Sequence, residues 1–209
     1  MLSGMIKRKA LDTKVLQKKL SGKDVFVIGA GPSLDEMIKT IKENKGFVKI
    51  AADGAVQALL ENKIKPDIVV TDLDGAPAAL QKAEKMGAIM VVHAHGDNTE
   101  MLKKLVPKFK KIIGTTQVMP VDNVYNFGGF TDGDRSVFLA EEFGAKSIVL
   151  VGMDFGSVIG KYSKQQVADP ELKKRKMQAG KKLLEMLAKQ SRSRLFDTSK
   201  KPVKGFESF

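Results

Sequence analysis

Residues 24–31 read DVFVIGAG, a continuous apolar run that ends in two glycines. Such a run is typical of a strand buried on both faces of a parallel sheet, with glycines that allow a tight turn into a helix. Helical patterns fill most of the gaps between this run and later ones. The alternation predicts an α/β fold: an open, mostly parallel Rossmann-like sheet of about six strands with helices on both faces. The other predicted strands are 47–53, 68–74, 88–93, 111–118 and 147–154.

The length of 209 residues suits one domain with a full hydrophobic core. We therefore expect a single α/β domain over 1–209, with a basic N-terminal helical segment at 1–22. A basic C-terminal helix and tail at 170–209 would complete it. Residues 156–169 have low periodicity and are expected to form a mobile loop.

Several classes of protein are excluded or disfavoured by composition. No run of eighteen apolar residues occurs, and 1–20 do not resemble a secretory signal. The chain has no cysteine, which excludes disulfides, thiol nucleophiles and thiolate metal sites. We therefore expect a cytoplasmic protein without a membrane partner. Its oligomeric state stays open, with a homodimer among the alternatives.

The net charge of +12 is concentrated toward the ends of the chain. Residues 171–209 contain twelve Lys or Arg against four Asp or Glu. A basic periphery around an acidic centre attracts polyanions, although solvated helix faces are the simpler explanation of the tail. Nucleic acid is not the expected partner, because aromatic residues make up 6% of the chain and do not interleave with the basic run.

Aspartates follow several of the predicted strands, at the sheet edge where open parallel sheets bind ligands. Asp72 and Asp74 flank one residue, so on an extended strand end they would face the same way. Two carboxylates about 4 Å apart repel by roughly 4 kcal/mol at an effective dielectric near 20. Hard oxygen ligands without thiols favour Mg²⁺ or Mn²⁺. The alternative is that each acid caps a helix on its own. The predicted metal ligands are Asp53, Asp72, Asp74 and Asp97.

Residues 29–33, GAGPS, would let the backbone approach a phosphate and direct helix N–H groups toward it. A structural turn is the alternative. The stretch also resembles the start of a dinucleotide fingerprint, but Leu34 replaces the third glycine of that motif. Together with the aspartates, Leu34 disfavours an NAD(P) or flavin enzyme.

Two further segments contribute polar side chains to the same edge. His93 and His95 alternate and share a face, but no third soft ligand for zinc is evident. We interpret one of them as a core residue and the other as facing the substrate; the alternative is that neither is catalytic. In TDGDR, Thr131 can cap a helix and Arg135 can bind a phosphate through two hydrogen bonds. The alternative for this segment is a capped helix with an internal ion pair.

The segments GAGPSL, AADGA, PDIVVTDLDG, HAHGDN and GGFTDGDR together resemble the archaeal-type 6-hydroxymethyl-7,8-dihydropterin pyrophosphokinase family. That family is distantly similar to thiamin pyrophosphokinase, and the resemblance covers roughly 24–155. It implies transfer of diphosphate from ATP to the hydroxymethyl group of a pterin, with release of AMP and a requirement for Mg²⁺. The product would enter folate or methanopterin-type cofactor biosynthesis.

The thiamin enzymes contain four motifs that this chain matches in part. Asp53 and Gly54 correspond to their ADGG element. Asp72 and Asp74 correspond to the acids of the GD-x-DS element, and Asp97 corresponds to the acid of the TD element.

The fourth motif, GGRFD, is matched by Gly128, Gly129 and Asp132, with Phe130 in place of its arginine. Arg135, one turn later, is the residue that would compensate. Loop and resemblance together predict a set of nucleotide contacts: Gly29, Gly31, Pro32, Ser33, Asp53, Gly54, Gly128, Gly129, Thr131 and Asp132.

No covalent intermediate is expected, because phosphoryl-type transfer depends mainly on positioning and charge neutralisation. The expected catalytic residues are Asp97 or His95, which would accept the hydroxyl proton, and Arg135, which would neutralise phosphate charge. A pterin edge needs a carboxylate or amide, which predicts contacts from Asp154, Asn123 and Asn126.

Two other functions are compatible with the sequence. One is a thiamin-type pyrophosphokinase or a glycan-related transferase on the same scaffold. We expect no room for the C-terminal β-sandwich of the thiamin enzymes, because 55 residues follow Asp154. The other is a non-enzymatic nucleotide-binding protein, which would release no AMP.

Overall fold

The computed structural model describes residues 1–155, Tyr162 and 170–209. In these ranges nine strands form one sheet, in which every pair of neighbouring strands is parallel. The strands are β1 (Asp24–Ile28), β2 (Val48–Ala52), β3 (Ile68–Thr71), β4 (Ile89–His93), β5 (Ile112–Thr115), β6 (Val124–Tyr125), β7 (Ser147–Val151), β8 (Arg194–Asp197) and β9 (Glu207–Ser208). Their order across the sheet is β6-β5-β4-β3-β2-β1-β7-β8-β9.

The open parallel sheet confirms the predicted fold class, but the sheet has nine strands instead of six. The additional strands are β6 on one side and β8 and β9 on the other. β6 and β9 have two residues each, which is too short for any periodic pattern in the sequence. The predicted mobile loop at 156–169 lies outside the described residues, apart from Tyr162.

Helices cover both faces of the sheet, as predicted. On one face, α1, α3, α4, α5 and α6 supply buried side chains. On the other, α2, α7 and α8 do so. None of the helices in the described ranges has the length and hydropathy needed to cross a bilayer. The helices are α1 (Leu2–Ile6), α2 (Lys14–Leu20), α3 (Leu34–Glu43), α4 (Ala55–Glu61), α5 (Pro77–Lys85), α6 (Thr99–Leu105), α7 (Asp132–Glu142) and α8 (Pro170–Ala188).

The central strand β1 shows why the opening apolar run decides the fold. Val25 and Val27 point into the core under α7, whereas Phe26 and Ile28 point into the core on the opposite face. All four side chains are fully buried. Because successive side chains of a strand alternate between faces, only a strand covered on both sides needs such an unbroken run.

The chain changes direction across the sheet at β1. Strands β1 to β6 extend to one side, and β7 then pairs with β1 on the other side. The connections that leave β1 and β7 therefore diverge, which creates a crevice at the carboxyl ends of the strands. Helix α7, which joins the two halves, packs against β1, β2 and β3.

We expect Phe26→Ala to lower the free energy of unfolding by about 3–5 kcal/mol, because it leaves a cavity in the centre of the sheet. The Phe26 ring is fully buried and stacks on Phe47 with 4.5 Å between ring centroids. Urea denaturation measures the change. Met186→Ala, at a side chain that is 60% exposed, is the control and should shift stability by less than about 0.5 kcal/mol. Equal effects of the two substitutions would contradict this account of the core.

Candidate active site at the carboxyl ends of the strands

Asp53 follows β2 and is buried, at 5% exposed. Its Oδ2 atom accepts hydrogen bonds from the Thr71 hydroxyl and from the Gly75 N–H, at 2.5 and 3.0 Å. Its Oδ1 atom has no hydrogen-bond partner among the described residues. Burial raises the pKa of Asp53 to about 6; the charge of Asp74 acts in the same direction, and the Thr71 hydrogen bond opposes it. A buried carboxylate with one oxygen unpaired is a candidate cation ligand.

Asp72 and Asp74 lie in a turn, so the extended geometry expected for them from the sequence is wrong. β3 ends at Thr71, and Leu73 adopts a left-handed backbone with φ of 70°. The Leu73 side chain is fully buried, and its N–H donates to the Thr71 hydroxyl oxygen at 2.8 Å. The turn brings the two acids together by placing the apolar residue between them in the core.

Carboxylate oxygens of Asp53, Asp72 and Asp74 all lie within 4.8 Å of one another. At that separation two unit charges repel by about 3 kcal/mol at an effective dielectric of 20. Burial, and next the neighbouring charge of Asp74, raise the pKa of Asp72. The group fits a hard divalent cation, since it combines three oxygen ligands, one of them without a partner.

Asp97 is not one of these three carboxylates. It is exposed on a short 3-10 turn (Gly96–Asn98), and its backbone N–H donates to Nδ1 of His95 at 3.2 Å. Nδ1 of His95 is therefore an acceptor, and the ring proton of neutral His95 lies on Nε2. That nitrogen faces Oδ2 of Asp72 at 3.6 Å. His95 is thus a neighbour of Asp72 on this edge, without a direct hydrogen bond to it.

Asp132, the first residue of α7, adds a fourth acid to this edge. Its Oδ2 atom accepts a weak hydrogen bond from the Asp72 N–H at 3.4 Å. Burial, and then the charges of Asp72, Asp53 and Asp74, raise its pKa well above the ordinary value. From its position in the GGFTD motif we predicted that Asp132 contacts the nucleotide. Its proximity to the other acids was not predicted, because it depends on how α7 crosses the sheet.

Arg135 is buried beside the acids, at 7% exposed. Its Nη2 atom donates to the Phe130 carbonyl at 2.8 Å and to Oε1 of Gln117 at 3.2 Å. Burial lowers its pKa, and the charge of Asp132 opposes that shift. The contact with Gln117, in the loop after β5, was not anticipated because the two residues are 18 apart in sequence.

Gly128 and Gly129 form the turn that leads to α7, with φ of 90° and 81°. A Cβ atom at Gly129 would lie 2.6 Å from Cα of Arg135, so only glycine fits there. Asp134 accepts hydrogen bonds from the Thr131 hydroxyl and, at 2.9 Å, from its N–H. The predicted cap at Thr131 is therefore a reciprocal arrangement with Asp134.

The GAGPS loop contacts Asp154 across the crevice between β1 and β7. Oδ2 of Asp154 accepts hydrogen bonds from the Ser33 N–H at 2.9 Å and from the Ser33 hydroxyl at 2.8 Å. A Cβ atom at Gly31 would lie 2.2 Å from the same oxygen. The structure thus brings Asp154, a predicted pterin contact, against Ser33 and Gly31, which are predicted nucleotide contacts. Asp154 accepts hydrogen bonds from Ser33 donors at the start of α3 that the loop would otherwise offer to a phosphate.

The remaining predicted residues occupy surface turns near this edge. Gly54 precedes α4, and Pro32 is exposed beside Ser33. Asn123 has φ of 62° in the turn before β6, and the exposed Asn126 accepts the Gly128 N–H at 3.0 Å. Their predicted ligand contacts stay predictions.

The sheet and its acidic edge define a doubly wound α/β protein with a cation-compatible site beyond the carboxyl ends of its strands. The sequence model of one family, described as 6-hydroxymethylpterin diphosphokinase MptE-like, matches residues 5–160. The chain belongs to this family.

Proteins named 6-hydroxymethyl-7,8-dihydropterin pyrophosphokinase are similar over most of the chain. The protein from Pyrococcus furiosus is 49% identical, over 92% of this chain and 81% of its own length. The protein from Methanocaldococcus jannaschii is 46% identical, over 82% and 77%. That from Methanothermobacter thermautotrophicus is 47% identical, over 78% and 73%.

A solved structure, the MAf glycosyltransferase from Magnetospirillum magneticum AMB-1, has a similar fold. Its TM-score is 0.62 at 17% identity, and the match covers all of this chain and 38% of that one. At this level of identity the likeness concerns the fold alone.

We expect Asp53→Asn to stabilise the cation-free protein at neutral pH by about 3 kcal/mol. The folded pKa of Asp53 is about 6, above the unfolded value near 3.9, so its favourable contribution is present below about pH 4 and is lost as the pH rises through 6. Urea denaturation with a chelator at pH 7.5 and pH 4 measures the difference, which should nearly vanish at pH 4.

The same experiment with added Mg²⁺ tests the ligand group. Mg²⁺ should stabilise the unsubstituted protein through binding to the native state, and should stabilise Asp53→Asn much less. A substituted protein that is less stable at pH 7.5 and equally stabilised by Mg²⁺ would contradict the assignment.

Proposed function

We propose that this chain is a 6-hydroxymethyl-7,8-dihydropterin pyrophosphokinase that transfers diphosphate from ATP to the hydroxymethyl group and releases AMP. The observation that carries the proposal is the 46–49% identity to proteins of that name over most of their length. The acidic edge supports it, because all the acids expected from the family resemblance except Asp97 approach one another there.

Mg²⁺ is the proposed cation, held by Asp53, Asp72 and Asp74. Oδ1 of Asp53 is buried without a partner among the described residues, and the group contains hard oxygen ligands only. When bound, Mg²⁺ supplies charge neutralisation to the nucleotide phosphates. The acids of this chain would hold that charge at the sheet edge, where Nε2 of His95 lies 3.6 Å from Oδ2 of Asp72.

Arg135 is proposed to stabilise negative charge on the phosphates. Its guanidinium is held by a carbonyl and a side-chain amide, so its position does not depend on the substrate. Pre-organised charge of this kind needs little rearrangement during reaction, which suits a transfer that depends on electrostatics. Asp97, which is exposed, or His95 beside it remains the proposed acceptor of the hydroxyl proton.

The glycosyltransferase likeness gives no second candidate function. At 17% identity it concerns the arrangement of strands and helices, and such scaffolds support many chemistries.

Incubation with ATP, Mg²⁺ and 6-hydroxymethyl-7,8-dihydropterin should produce AMP in amounts equal to the pterin diphosphate. With ATP labelled at the γ-phosphate, label should enter the pterin product and appear neither in free phosphate nor on the protein, because no covalent intermediate is proposed. Release of ADP would overturn the reaction class while leaving the cation site untouched.

Asp72→Asn should reduce turnover by at least about a hundredfold, because it removes one of the proposed cation ligands. The control is Asp12→Asn, since Asp12 is an exposed acid that bonds the Lys14 N–H near the start of α2. AMP release and circular dichroism are measured for both proteins. Near-normal turnover by a folded Asp72→Asn protein would rule out the proposed role of Asp72.

A further inference from the structure

The side chain of Asn98 is buried, at 6% exposed, at the end of the short 3-10 turn that follows β4. Its amide nitrogen donates to the carbonyl oxygens of Asp72 and His93, at 2.7 Å in each case. Its Oδ1 atom accepts a hydrogen bond from the His95 N–H at 3.1 Å. Both N–H donors of the amide and one position on its oxygen are therefore used, all of them by backbone groups.

These three partners also determine which way round the Asn98 amide lies. A backbone carbonyl can only accept a hydrogen bond and a backbone N–H can only donate one. The NH2 group must therefore face Asp72 and His93, and the oxygen must face His95. Aspartate has nearly the same shape, but its ionised carboxylate has no N–H and would direct an oxygen at the two carbonyl oxygens. The position thus calls for an amide.

The turn after β3, which carries Asp72, is held from both neighbouring strands. On the β2 side, Oδ2 of Asp53 accepts hydrogen bonds from the Thr71 hydroxyl and the Gly75 N–H. On the β4 side, the Asn98 amide donates to the Asp72 carbonyl. Because β3 lies between β2 and β4 in the sheet, these hydrogen bonds hold the turn from opposite sides.

We propose that Asn98 is a positioning residue of the cation site, which holds the Asp72 backbone where the Asp72 carboxylate can join those of Asp53 and Asp74. This inference rests on the cation site of the proposed function. The polar atoms of Asn98 face the backbone, so it acts through Asp72 and not as a ligand. Removing a group that orients a metal ligand typically costs about tenfold to a hundredfold in metal affinity.

The same amide connects the proposed cation site to His95, which is one of the two proposed acceptors of the hydroxyl proton. Asn98 bonds the backbone of both Asp72 and His95. Nε2 of His95 lies 3.6 Å from Oδ2 of Asp72. Asn98 therefore helps to set the distance between a proposed cation ligand and a proposed proton acceptor.

The first test measures Mn²⁺ binding to the protein without nucleotide, from the loss of the electron paramagnetic resonance signal of the free ion. Mn²⁺ suits the same hard oxygen ligands as Mg²⁺. Asn98→Ala should weaken the Mn²⁺ affinity by at least about tenfold, because Asp72 is then no longer held beside Asp53 and Asp74.

Asn44→Ala is the matched control. Its side-chain amide also donates to a backbone carbonyl, that of Thr40 at 2.9 Å. Asn44 follows the last residue of α3, at the opposite edge of the sheet, since α3 leads from the carboxyl end of β1 to the start of β2. Both substitutions should lower the free energy of unfolding in urea, but Asn44→Ala should leave the Mn²⁺ affinity within about twofold. Equal losses of affinity, or none in a folded Asn98→Ala protein, would overturn the inference.

Asn98→Asp separates positioning from charge. An added negative charge beside the acids would by itself attract a cation more strongly. Loss of the two N–H donors removes the hold on Asp72 and acts in the other direction. We expect the Mn²⁺ affinity of Asn98→Asp to fall in spite of the added charge, in a protein whose circular dichroism is unchanged. Tighter Mn²⁺ binding would contradict the positioning role.

The inference and the proposed function fail separately. Weaker Mn²⁺ binding by Asn98→Ala, together with no AMP release by the unsubstituted protein, would retain the positioning role and remove the proposed reaction. AMP release by the unsubstituted protein, together with unchanged Mn²⁺ affinity in Asn98→Ala, would remove the inference alone. An unsubstituted protein that binds no Mn²⁺ would overturn both the cation site and the role of Asn98.

Discussion

Repulsion among the carboxylates of Asp53, Asp72 and Asp74 is the constraint on which the functional edge of this protein depends. Folding brings their oxygens within 4.8 Å of one another, and Asp53 is buried as well. Among the described residues, two donors, from Thr71 and Gly75, compensate one oxygen of Asp53. The other oxygen has no hydrogen-bond partner in those ranges, and the crowded carboxylates make the edge complementary to a cation.

Backbone features near these acids make the crowding sterically feasible. A Cβ atom at Gly75 would lie 1.8 Å from Oδ1 of Asp53, so a side chain there would displace the carboxylate. Leu73 accepts a left-handed conformation, which is costly for a residue other than glycine, and its buried side chain offsets part of that cost. Core packing and site geometry are therefore coupled through a single turn.

Two environments meet at Arg135. On one side lie the acids, where burial and the charges of neighbouring acids raise the pKa values of Asp72 and Asp132. On the other lies an apolar crevice lined by residues such as Val91 and Leu139, and burial lowers the pKa of the nearby His93 to about 3. The guanidinium borders both, and its charge helps to keep His93 neutral while it is attracted to the acids. Helix α7 creates this boundary, because it crosses the sheet and begins with Asp132 among the acids.

The sequence alone was sufficient for the α/β class and for most of the acidic edge. Runs such as 24–31 are local, and parallel strands end at one edge, so aspartates that follow neighbouring strands are brought to the same edge. Asp97 shows that the edge alone does not bring a carboxylate into the group. The short strands β6 and β9 were not predicted, because a strand of two residues shows no alternation of apolar and polar side chains.

Other features required the tertiary structure, because they depend on contacts between residues far apart in the chain. Asp154 meets Ser33 only because β7 pairs with β1, 121 residues away in sequence. Asp132 approaches Asp72 only because α7 crosses the sheet. The surroundings of His93 are set by burial and by Thr115, 22 residues away, and neither can be read from a histidine's neighbours in sequence. Local pattern determines elements and their edges, whereas the partner of each buried polar atom is decided by packing.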